Sequence, residues 1–174
     1  MGLVPDFILD YVNVTTYWTL LFTFHALLAV ALLGALTHQA ASVLMPMRQA
    51  AAAGGPSFTE RFRAVHGPGY AAAVCVLWIV TFFFGAWIYT KYRMYVRIPI
   101  EQEGFWKTQG VFELKEHLAS IGLGLLPVYW LFWKDARNPE YDSPRKWLTV
   151  TLAAFCWYIF LAGHIVNNVR GFGS

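Results

Sequence analysis

The sequence predicts an all-α integral membrane protein, a four-helix up-down-up-down bundle formed as a single transmembrane domain over residues 1–174. Three observations carry that prediction. Of the 174 residues, 57% are hydrophobic and only 13% charged, whereas an ordinary soluble domain is about 25% charged. The apolar residues gather into four stretches, each near the roughly 20 residues that a helix needs to cross a bilayer. The segments between them are short, so consecutive spans are expected to run in alternate directions.

The elements follow in order. Residues 5–13 are short and amphipathic and read as an interfacial lead-in. The first sixteen residues hold no Lys or Arg, so no basic start of a secretory signal is expected. Residues 16–44 form the first span. Pro46, Gly54, Gly55 and Pro56 mark a loop over 45–58. Ser57 and Glu60 have capping-box spacing and would open a helix carrying Arg61, Arg63 and His66. At Gly67-Pro68-Gly69 the proline removes a backbone donor, so a kink or a restart is expected.

Residues 70–90 form the second span. Residues 91–110 are mixed and polar, with Lys91, Arg93, Arg97, Glu101, Glu103 and Lys107, and read as a loop. The third span, 111–133, starts amphipathic and should bend at Pro127. A short charged loop over 134–145 precedes the fourth span, 147–168. Cys75 and Cys156 lie inside apolar runs, as small buried hydrophobes do, and not in the spacing of a zinc site.

With the N-terminus on one face of the membrane, side A, side B carries Arg48, Arg61, Arg63, Lys134, Arg137, Arg145 and Lys146. Side A carries Lys91, Arg93, Arg97, Lys107, Lys115 and Arg170. The slight excess places side B in the cytoplasm and both termini outside it, in a bacterial inner membrane. The basic residues sit beside apolar segments and form no stripe for nucleic acid.

The histidines are the chemistry-bearing residues. An imidazole at membrane depth costs free energy without a partner and is a functional-site candidate by default. His25 lies about nine residues into the first span from side A, and His117 about six into the third. His164 lies six residues before Arg170. At about 1.5 Å of rise per residue their depths agree within about a turn. Three imidazoles on three helices thus meet in one leaflet and point to a metal or haem centre. His38 and His66 would meet in the opposite leaflet as a second centre. His25 and His38 are thirteen residues apart, which turns the two side chains about 140° from each other. That spacing argues against both centres using one face of the first helix.

Room and charge go with these ligands. Ala26 and Ala29 flank His25, Ser120 and Gly124 follow His117, and Gly163 adjoins His164. Such small residues admit a porphyrin, and they equally let helices pack closely. Arg93, Arg97, Lys115 and Arg170 are candidates to pair with haem propionates. Copper or zinc is less favoured, because no H-x-x-x-H or H-E-x-x-H motif accompanies the histidines. No phosphate-binding loop or nucleophile motif is present, and no catalytic residue is identified.

With histidines at matched depths on short-looped spans, the chain resembles small membrane b-type cytochromes, including the haem-bearing anchors of respiratory dehydrogenases. The first span, FHALLAVALLGALTH, also resembles that of the bacterial membrane protoporphyrinogen oxidases and copper-resistance membrane proteins. In that group a first-helix histidine accompanies a later Lys/His pair, to which Lys115 and His117 correspond. The first resemblance implies electron transfer between a quinone and partner subunits.

The resulting expectation is a haem b subunit of a larger respiratory or photosynthetic oxidoreductase complex, itself not catalytic. His25 and His117 are the expected axial pair and His164 the substitute. One haem is expected, or two if His38 and His66 form a centre. The loop over 91–110, with Phe105 and Trp106, is expected to dock a neighbouring subunit. The alternatives are a haem-dependent porphyrinogen oxidase and a cofactor-free structural subunit.

Overall fold

The computed structural model describes residues 13–45, 58, 65 and 67–169. Among them there is no strand. Helix α1 spans Val14–Leu44, α2 Pro68–Tyr92, α3 Ile98–Gln102, α4 Trp106–Lys134 and α5 Asp142–Val169. Residues 5–12 of the lead-in, residues 59–64 of the helix expected after Ser57, His66 and Arg170 lie outside the described residues.

Local chemistry explains the boundaries. Asn13 caps α1, its side-chain oxygen accepting from the Thr16 backbone N–H at 2.8 Å. Helix α2 begins at Pro68, a first-turn position that needs no backbone donor. Asn138 caps a short 3-10 turn, Pro139–Tyr141, through the Glu140 N–H at 3.0 Å. Helix α4 continues through Pro127.

The expected loop over 91–110 is corrected. A π-helical segment, Arg93–Arg97, joins α2 to α3, so the chain stays helical to Gln102. Charge dominates the composition there, but Tyr92, Val96 and Ile100 recur at a spacing of four. All three are buried against Phe112 and Val166. Arg97 and Glu101 pair at the same spacing, 2.7 Å apart, on the half-exposed side. The reversal comes only at Gly104, whose φ of +77° falls in the left-handed region that glycine takes without strain. The Pro68–Gln102 stretch is 35 residues long, about 52 Å at 1.5 Å per residue. A hydrocarbon core is about 30 Å thick, so part of this helix projects beyond it.

Among the described residues, three stretches are long and apolar enough to cross a membrane: Val14–Leu44, Pro68–Gln102 and Pro139–Val169. They support the integral membrane class. Helix α4, expected as the third span, is not among them. Its first half carries Lys107, Glu113, Lys115, Glu116 and His117, which dilute its apolar character.

Each long helix packs against two others: α1 and α4 both contact α2 and α5. Between membrane helices, close fit and hydrogen bonds do most of the holding. The Trp78 indole packs on Gly122, where an added Cβ would overlap it. Its Nε1–H donates to the Ala119 carbonyl at 3.2 Å. Tyr129 and Gln39, both fully buried, are joined by a hydrogen bond from the phenol to the amide oxygen. Trp133 Nε1 donates to Thr149 Oγ1 at 3.1 Å, and Thr149 donates in turn to the Arg145 carbonyl at 2.7 Å.

Arg145 is not a loop cation. It is 8% exposed. Its guanidinium donates to the Phe132 and Asp135 carbonyls at 3.2 and 3.4 Å and pairs with the Asp142 carboxylate. It therefore satisfies the open carbonyl end of α4 from the start of α5. Arg145→Ala should cost about 2 kcal/mol by stranding these acceptors. Equilibrium unfolding in mixed micelles would measure the loss, with Arg145→Lys recovering part of it.

Candidate functional site

A cavity of about 340 Å³ opens among all four long helices. Its size falls within the range typical of ligand pockets. Helix α1 contributes His25, Ala26 and Ala29, and α2 contributes Thr81, Gly85 and Tyr92. Helix α4 contributes Lys115, Glu116 and Ala119, and α5 contributes Gly163 and His164. The space exists because small residues from every helix meet at one level. The aromatic wall includes Phe22, Trp78, Phe82, Tyr89 and Phe112.

His25 is held by shape. Its Cε1 lies 3.1 Å from where a Cβ on Gly85 would stand, so only a bare α-carbon leaves the ring its place. The Thr81 backbone is beside the imidazole. His25 Nδ1 is nevertheless buried without a hydrogen-bond partner, and Thr81 Oγ1 is in the same condition. Buried polar atoms are almost always paired. Two orphaned atoms belonging to residues that line one cavity mark it as a place where a ligand group would complete the chemistry.

Charge enters from α4. Lys115 Nζ pairs with Glu116 Oε1 at 2.9 Å, with the lysine side chain only 16% exposed. The ammonium also lies 4.5 Å from the centre of the Phe112 ring, within cation–π range. At the outer end, Tyr92 donates to Gln109 Oε1 at 2.8 Å, and Gln109 Nε2 donates to Glu113 at 3.0 Å. Tyr92 also stacks on Phe112, with centroids 3.7 Å apart.

The structure brings His25 and His164 to this cavity and leaves His117 out of it. His117 is exposed, one residue past Glu116 and turned away from the lining. At 100° per residue the step from Glu116 to His117 carries the side chain off the inward face, and equal depth alone does not reveal that. Of the small residues flagged in the sequence, Ala26, Ala29 and Gly163 line the cavity, whereas Ser120 and Gly124 do not.

The expected propionate partners divide in the same way. Lys115 faces the cavity. Arg93 is exposed, and Arg97 is engaged with Glu101 at 2.7 Å and Glu113 at 3.5 Å. Neither arginine lines the cavity. His38 is half-buried on another level of α1, edge-on to Tyr70 with centroids 6.3 Å apart. Its expected companion, His66, is outside the described residues.

Thr81 and Gly85 join the site with no histidine or charge in the sequence to mark them. A glycine interrupting an aromatic run, FFFGAW, was the one available signal for Gly85. Among the described residues, no group of three His, Cys, Asp or Glu side chains is placed to hold a metal ion. No protein-family model, no curated protein and no solved structure matches this chain.

Proposed function

We propose that this chain is a haem b-binding membrane subunit that carries electrons within a larger respiratory or photosynthetic complex. His25 and His164 would hold the iron. The observation that carries this reading is the buried, unpartnered Nδ1 of His25 on a cavity that His164 also lines. A neutral imidazole with a free nitrogen is what iron ligation uses. The rest of the lining fits the same group. Small residues give a flat ring room, aromatic side chains suit its faces, and Lys115 supplies a cation for a propionate.

When bound, the haem would supply a one-electron couple, and burial would tune its potential. The chain's own residues do the rest. Gly85 and the Thr81 backbone fix the His25 ring, Lys115 and Glu116 set the charge of the wall, and Trp78 and Phe82 help keep the interior apolar. The proposal includes the up-down-up-down arrangement of four spans, with α4 crossing as the third. Contacts that support alternate directions are His25 with Gly85 and Tyr70 with the Ala35 carbonyl between α1 and α2. Trp133 with Thr149 and Lys115 with Gly163 do the same between α4 and α5. Both termini would lie outside the cytoplasm.

Gly85→Ala tests the cradle. The new methyl should displace the imidazole by a few tenths of an ångström and weaken haem retention without unfolding the chain. Haem content per chain after purification, measured by pyridine haemochrome, should fall well below wild type while the circular dichroism spectrum stays the same. Unchanged haem content would argue against His25 as ligand.

A further inference from the structure

We propose that the outward face of α4 is a self-association surface, on which a second copy of this chain packs in parallel about a two-fold axis along the membrane normal. Gly110, Glu113, His117, Ser120, Gly124, Pro127 and Leu131 are all exposed. They follow one another at intervals of three and four residues, the seam spacing of paired helices. No atom lies within 4 Å of a Cβ added at Gly110 or Gly124. Bare positions of this kind let two helix backbones approach closely.

Depth makes the seam costly if it faces lipid. His117 follows Lys115 and Glu116, which share the cavity with His25. His25 lies seven residues inside Trp18, whose ring carries Lys91 at 5.3 Å in the manner of an interfacial anchor. Seven residues correspond to about 10 Å of helix. An imidazole at that depth is expected to face protein or a polar cavity, yet His117 makes no hydrogen bond, ion pair or ring contact among the described residues. Among the described residues, the seam also belongs to the one long helix not apolar enough to cross a membrane by itself.

The chemistry of the seam favours a second copy. Glu113 accepts from Gln109 and from Arg97 through a single oxygen, Oε1. Oε2 is left for a donor from outside. His117 lies one turn away on the same seam and offers that donor. A two-fold brings His117 of each copy to Glu113 of the other, so both contacts form at once, as in an isologous interface. The seam carries one donor and one acceptor and is its own complement, whereas a foreign helix would have to supply both. Ser120 remains small and inert there, its hydroxyl already donating to the Glu116 carbonyl at 3.0 Å.

Disulfide trapping in native membranes tests this without reference to haem. Ser120→Cys in the full chain, treated with copper phenanthroline, should give a species of about twice the 19.7 kDa chain mass. Wild type should not, since Cys156 is buried and Cys75 half-buried. Leu27→Cys and Phe83→Cys, on other exposed faces, should not either. In a detergent dilution series His117→Ala should raise the dimer dissociation constant roughly tenfold, the loss of two interhelical hydrogen bonds. The proposal is overturned if Ser120→Cys gives no dimer, if the control positions dimerise as strongly, or if Ser120→Cys links only to a different protein. An unchanged dissociation constant for His117→Ala would overturn it as well.

Discussion

His25→Ala is expected to abolish the b-type haem spectrum and leave a folded, membrane-inserted chain. The effect should be near total, because the cavity offers no second imidazole on α1 or α2 to take its place. His25 is only half-buried, and its ring fills the cradle at Gly85 without a partner for Nδ1. Removing it therefore strands no hydrogen-bonded neighbour beyond the Thr81 backbone. Added imidazole should restore part of the haem signal by entering the vacated cradle. His164→Ala should keep haem bound but convert the spectrum from low to high spin. His117→Ala should retain full haem content, because that residue does not line the cavity. Absorbance of the three purified variants, normalised to chain concentration, measures all of this.

Gly122→Ala should produce the largest loss of stability of any single methyl addition. The Cβ would overlap the indole of Trp78, which is 3% exposed and cannot swing into open space. Overpacking of this kind costs about 1–3 kcal/mol. Moving the indole also breaks its hydrogen bond to the Ala119 carbonyl, adding about 1 kcal/mol. Combining Gly122→Ala with Trp78→Phe should recover part of the loss, because the smaller ring leaves room. The SDS concentration at half-unfolding, compared across the two single variants and the double variant, measures the coupling.

The helices were legible because apolar stretches of membrane length have few other solutions. The four long helices contain the four expected apolar stretches whole. The segment over 91–110 was not legible as a helix, because its charges mask the Tyr92, Val96, Ile100 stripe until Phe112 is seen to cover it. Arg145 misled in the opposite way. A single arginine beside a charged loop reads as a headgroup residue, and only the folded α4 terminus shows the carbonyls it serves.

The site was legible in part. Membrane depth follows from counting residues, so His25 and His164 could be brought to one level. Facing depends on how each helix is rotated, which depth does not fix. Depth alone therefore pairs His117 with His25, whereas the structure stands it on the outer face. Gly85 and Thr81 become visible as site residues only once α2 is laid against α1.

The most direct test of the central claim is a reduced-minus-oxidised absorbance spectrum of the wild-type chain, extracted from its native membrane in mild detergent. The account predicts b-type bands at a single haem per chain, lost in His25→Ala. A fully folded native preparation without haem, or haem bands that persist unchanged in both His25→Ala and His164→Ala, would contradict it.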